Sequence, residues 1–162
     1  MVQRTAGDEK RQAARIKFRI SDQLEVRYKF LSHMPQFQCP KVFSGGALNI
    51  SKGGALFVGT IPARDWLPQL GQGLVLIGMN IMVPDKKPVK ALCSMRWTRP
   101  APKGFHRFGD TAHYEFGVRF EQLDASHRNT LEKFLIGFQL KSRKFNREDA
   151  PYEGTLPDPN AG

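Results

Sequence analysis

Leu24-Glu25-Val26-Arg27-Tyr28-Lys29-Phe30 alternates apolar and charged side chains without a break. Successive residues of a strand point to opposite faces, so this period of two marks a half-buried β-strand. The alternation returns twice: Val89, Ala91, Cys93, Met95 and Trp97 share one face of a second strand, and Tyr114, Phe116, Val118 and Phe120 share one face of a third, with Glu115 and Arg119 facing away. Val42–Ile50, Ala55–Gly59 and Leu74–Val83 are apolar runs rich in β-branched residues or glycine and bounded by Gly, Pro or Ser, which predicts three more strands. The connections suit antiparallel pairing. One segment switches period: Leu131, Phe134, Leu135 and Phe138 fall at i, i+3, i+4 and i+7, and Asp124 or Ser126 can cap the start of that helix. The expected fold is therefore mainly β, a six-stranded antiparallel β-barrel with a C-terminal amphipathic helix that buries its stripe on the barrel.

A chain of 162 residues supports one core of ordinary size. The ends lack apolar periodicity, so residues 1–8 read as a flexible N-terminal extension, 9–140 as the domain and 141–162 as a flexible C-terminal tail. Leu74–Val83, the longest apolar stretch, is broken by Gly78 and Asn80 and is far short of the roughly 20 residues of a spanning helix. No charged n-region with an apolar run opens the chain, so the expected location is cytoplasmic, not an integral membrane protein. Cys39 and Cys93 form neither a disulfide framework nor a zinc pattern.

Twenty-five Lys and Arg against fifteen Asp and Glu give a net charge of +10, which favours an anionic partner without choosing among nucleic acid, membrane and phosphorylated small molecule. The first thirty residues hold eight bases and four acids. Enzyme signatures are missing. Ser51-Lys52-Gly53-Gly54 runs in the wrong order for a P-loop, Gly71-Gln72-Gly73 is an incomplete dinucleotide fingerprint, and His33, His106, His113 and His127 share no metal-ligand spacing. A non-enzymatic chain without cofactor or metal is expected. An oligonucleotide-binding barrel would interleave aromatics and bases on an exposed strand face, whereas Tyr28, Phe30, Tyr114, Phe116 and Phe120 fall on inferred core faces. Specific nucleic-acid binding is therefore not expected.

Two short elements have chemistry suited to a small anion. Arg11 and Arg15, four apart and just before the first strand, can turn two guanidinium forks the same way; such forks match phosphate oxygens and the O6 and N7 acceptors of guanine. A solvated basic face would show the same spacing. Asn49-x-Ser51-x-x-Gly54 lies between two predicted strands. Asn offers an acceptor and a donor, Ser a hydroxyl, and Gly53 and Gly54 permit positive φ and close approach of a flat ligand. An ordinary β-turn also favours these residues. Trp97, flanked by Arg96 and Arg99, could stack on a purine, but its place on the face of Val89, Ala91, Cys93 and Met95 assigns it to packing.

Taken together, Arg11-x-x-x-Arg15 followed by Asn49-x-Ser51-x-x-Gly54 resembles the signature of the PilZ domain, a bacterial cyclic di-GMP receptor module. Leu48–Phe57 looks like that family's second-to-third strand turn, and Phe116–Phe120 with Leu123-Asp124 and the Leu131/Phe134/Leu135 helix looks like its closing strand and helix. The resemblance implies a barrel in which the arginine segment folds over the mouth and clamps cyclic di-GMP against the Asn/Ser/Gly turn. Arg11 and Arg15 would bind phosphate and guanine, Asn49 and Ser51 would hydrogen-bond the ligand, and Gly54 would keep the surface open. Gly53 and Lys10 are secondary candidates; in this family the position of Lys10 influences whether one ligand or a stacked pair is held. The implied role is to relay the nucleotide signal to a protein partner, with motility, surface polysaccharide and adhesion among the family's outputs. The rival reading is a PilZ-like adapter that binds protein without nucleotide.

Overall fold

In the computed structural model, residues 16–19, 22–101 and 114–149 are described, with side chains to Lys141. The strands are β1 (Ile16–Lys17), β2 (Leu24–Leu31), β3 (Phe43–Ile50), β4 (Gly54–Gly59), β5 (Leu76–Ile81), β6 (Val89–Pro100) and β7 (Tyr114–Gln122). A 3₁₀ turn, Arg64–Trp66, leads into a short helix α1 (Leu67–Gly71), and α2 (Ala125–Asp149) follows the last strand. Hydrogen bonding runs β3-β2-β5-β6-β7-β4, and β4 returns to β3, so six antiparallel strands close a barrel. Two-residue β1 lies outside that ring. It pairs with the end of β3, Ile16 opposite Ile50 and Lys17 opposite Asn49, where β2 has already ended its pairing at Leu24–Ala47.

The alternating β2 sequence does what its period requires: Leu24, Val26, Tyr28 and Phe30 are buried while the residues between them are not. Tyr28 is the hub of the aromatic core. Its ring stacks on Phe43 at 5.6 Å and meets Phe57 edge-on at 5.0 Å, and Phe57 stacks on Phe116 at 4.9 Å. Each such pair adds about 0.5–1.5 kcal/mol beyond the area it buries. The Tyr28 hydroxyl is satisfied inside, donating to the Thr60 carbonyl at 2.8 Å and accepting from the Thr60 N–H at 2.7 Å. Burial pushes its phenol above the ordinary tyrosine range.

Helix α2 seats Leu131 and Leu135 in the core, as the stripe predicts. Phe138 reaches Phe18 edge-on at 5.0 Å, and the Phe18 N–H donates to the Leu48 carbonyl at 2.8 Å. The chain leaving β1 is thereby held between β3 and α2, close to the β3–β4 turn.

Three expectations need correction. The tail was expected from residue 141, but residues 141–149 continue α2. They lack an apolar stripe, yet they contain no Gly or Pro, and their long polar residues have good helix propensity. Trp97 does not share the face of Met95, because β6 carries a register shift between Met95 and Trp97. An extra residue in a strand reverses the facing of everything after it. Finally, neither Gly53 nor Gly54 has positive φ; among the described glycines only Gly73 does. The sequence also gave no warning of β1 or of α1, whose Pro68 sits in its first turn, where its missing N–H is harmless. Cys93 is buried and Cys39 half-buried, both as free thiols, and burial raises the Cys93 pKa to about 12.

Candidate functional site

Two β-bulges build one face. In β3, Ala47 pairs with Phe57 and Ile50 with Ala55, all facing the core, and the register shift between Ala47 and Asn49 leaves Asn49 opposite Leu56 on the outside. In β6 the second shift turns Trp97 outward, opposite Gly117. Strand pairing then runs across the outer wall from Lys17 to Asn49, Leu56, Gly117 and Trp97. Beside that row, Gly54 pairs with Arg119 and Arg119 with Ser94; on its other side Val58 pairs with Glu115 and Glu115 with Arg99.

Asn49 is only 8% exposed, and its side chain has no hydrogen-bond partner among the described residues. A buried amide without a partner is rare, because leaving it unsatisfied costs about 1–3 kcal/mol. The turn beyond it is held by its backbone. The Ser51 N–H donates to the Gly54 carbonyl at 2.9 Å, with the Ser51 hydroxyl on the same oxygen at 3.4 Å, and the Phe120 N–H donates to the Gly53 carbonyl at 2.8 Å. Lys52 and Gly53 at its tip are exposed.

The two glycines of the turn do different work. A Cβ on Gly54 would stand 2.1 Å from the Val118 carbonyl oxygen, so close approach of β4 to β7 requires glycine there. A Cβ on Gly53 would meet nothing within 4 Å. Gly117 is needed for a third reason. Its missing side chain makes room for Trp97, whose Cε2 and Nε1 would each lie 2.4 Å from an added Cβ.

Trp97 is 41% exposed, and the Arg99 guanidinium carbon lies 5.0 Å from its ring centroid. Arg99 donates from Nε to Glu115 Oε1 at 2.7 Å. On the Gly54 side, Glu121 accepts from the Ser94 hydroxyl and pairs with Arg119 at 3.4 Å. The Ser94 bond, aided by the charge of Arg119, holds the Glu121 carboxyl below the usual range. Lys17, Lys52, Arg96, Arg99 and Arg119 make this wall cationic. It joins an amide with no partner among the described residues, an exposed indole and several cations, which suits a flat anionic ligand with hydrogen-bonding edges.

Of the site residues expected from sequence, Asn49 lies near the end of β3, Ser51 and Gly53 in the turn and Gly54 at the start of β4. Lys10, Arg11 and Arg15 lie outside the described residues. The sequence offers Trp97, with Arg99 beside it, as a purine platform but assigns it to packing, and it does not single out Gly117. It carries no signal of the bulge, since Arg96 falls in step on the polar face between Met95 and Trp97 and the alternation runs unbroken through the register shift. Among the described residues no three His, Cys, Asp or Glu side chains form a metal group, and no helix is long and apolar enough to cross a membrane.

A closed six-stranded antiparallel barrel with a C-terminal helix packed on it and a bulged, cationic outer wall defines a class of small β domain. Within it, the PilZ domain profile matches residues 9–137, and the chain belongs to that family. Solved structures with the same fold include the PilZ domain of Escherichia coli YcgR with c-di-GMP (TM-score 0.57, 8% identity, 85% of this chain and 96% of that one). MrkH, a c-di-GMP-dependent transcription regulatory factor, aligns with TM-score 0.56 and 14% identity over 78% of this chain and 49% of its own. The Bacillus subtilis inhibitor of motility MotI/DgrA gives 0.54 and 16% over 80% and 51%. The chain thus spans about half the length of the last two. No curated protein matches it in sequence.

Proposed function

We propose that this chain is a non-enzymatic cyclic di-GMP receptor that relays the nucleotide signal to a protein partner. The observation that carries the reading is Asn49, a buried amide with no partner among the described residues, on the same outer row as the exposed Trp97. A guanine edge offers the donors and acceptors that this amide does not find among the described residues, and base stacking on an aromatic is worth about 1–3 kcal/mol. Ser51 and the exposed tip of the turn stand ready for phosphate or base.

Chain connectivity supports the arginine half of the site. Arg15 is bonded to Ile16, which pairs with Ile50, the residue before Ser51. Arg11 is five residues before Ile16, a reach of at most about 18 Å. Family membership and the c-di-GMP named with the YcgR and MrkH structures point to the same ligand. The relay works by ordering the basic N-terminal segment on the barrel, which presents a new surface to the partner.

Calorimetric titration with cyclic di-GMP, paired with thermal melting, tests the reading. Saturable heat and a higher melting temperature at ~100 μM ligand are expected, because a ligand bound by the native state alone must stabilise it. Alanine at Arg11 or Arg15 should remove both signals and leave the ligand-free melt unchanged. A flat titration with no thermal shift would overturn the receptor and leave the nucleotide-independent adapter.

A further inference from the structure

Glu115 faces outward on β7, yet it is 3% exposed, a position where a carboxylate needs a partner. Its partner is Arg99, which remains largely exposed. The two strands are locked twice at this point: Arg99 Nε donates to Glu115 Oε1 at 2.7 Å, and the Thr98 hydroxyl donates to the Glu115 backbone carbonyl at 2.9 Å. Both bonds lie just past the bulge that turns Trp97 outward. The indole rests over Gly117 and the Arg99 guanidinium lies 5.0 Å from its centroid, so base, ring and carboxylate form one connected unit.

Resting on the receptor reading above, we propose that Arg99 is a further ligand-binding residue, a reader of guanine, and that Glu115 is its positioning residue. A guanidinium fixed at Nε and braced by an aromatic ring loses little freedom on binding. Its remaining N–H donors, on an exposed group beside the Asn49–Trp97 row, match guanine O6 and N7. Adenine presents an amino donor where guanine has O6, so the same fork discriminates against it. Glu115 does not touch the ligand; it acts by holding Arg99 in place.

Arg99→Lys is the informative variant, since it keeps a cation for the buried carboxylate and removes the planar fork. Cyclic di-GMP and cyclic di-AMP are titrated against the intact chain, Arg99→Lys, Glu115→Gln and the double variant, with ligand-free melting as the fold check. Arg99→Lys is expected to weaken cyclic di-GMP by about tenfold and to narrow its preference over cyclic di-AMP. Glu115→Gln should weaken it by a smaller factor, and the double variant should bind no worse than Arg99→Lys, because residues acting through one group are not additive. If the intact chain binds cyclic di-GMP and Arg99→Lys binds both ligands as it does, Arg99 is not a reader. An unchanged preference with weaker binding assigns Arg99 to phosphate and overturns the guanine role. Fully additive losses overturn the positioning role of Glu115. A failure of the intact chain to bind cyclic di-GMP removes the receptor reading itself.

Discussion

Asn49 places an amide where a carboxylate of nearly the same shape would fit, and its burial makes the difference between the two measurable. An amide cannot supply the charge-assisted acceptor that a carboxylate gives to guanine N–H groups. A carboxylate in its place would be a largely buried charge whose cross-strand neighbour is Lys17, an exposed lysine that only partly offsets the cost of burial. Asn49→Asp is therefore expected to lower the ligand-free melting temperature by several degrees and to tighten cyclic di-GMP binding by about fivefold to tenfold. Calorimetry and a melting curve check both halves; an unshifted melt with weaker binding would contradict them. The sequence singled out this residue through its neighbours Ser51 and Gly54. That its buried amide meets no partner among the described residues was invisible there, since this depends on the β3 bulge and on the strands packed around it.

At the level of elements, the strand periods revealed which stretches are strands but not where a strand gains a residue. Period two carried Val89 through Met95 correctly onto the core face and then failed at Trp97, because one inserted residue flips every side chain beyond it. Glycine marks the same wall from the other side. Gly54→Ala sets a methyl against the Val118 backbone carbonyl, which cannot move without parting β4 from β7, so a loss of about 1–3 kcal/mol of stability is expected. Gly117→Ala meets the Trp97 ring instead, a side chain that can tilt away. That variant should keep most of its stability, shift the tryptophan emission, and weaken cyclic di-GMP. Chemical denaturation and fluorescence titration separate the two; equal stability losses would show that Trp97 is as rigid as the backbone.

For the molecule as a whole, α2 is a structural part of the barrel as far as its buried stripe reaches. Leu131 and Leu135 each bury enough apolar surface for about 1.5–3 kcal/mol, and Phe138 holds Phe18 beside β1. Against a typical total of about 5–15 kcal/mol, their loss is severe. A chain ending at Leu123 should lose its cooperative melt, whereas one ending at Lys141 should keep it, as thermal scanning would show. If the chain ending at Leu123 melts like the full chain, the helix is dispensable. The sequence by itself determined the barrel class, the three strongest strands, the helix and the Asn49–Gly54 turn, because burial periodicity and turn chemistry are local properties. Only the tertiary structure decided which wall of the barrel those residues face. The bulges at Asn49 and Trp97, the close approaches at Gly54 and Gly117, and the pairing of Arg99 with Glu115 join residues distant in sequence, and local pattern carries no record of strand register.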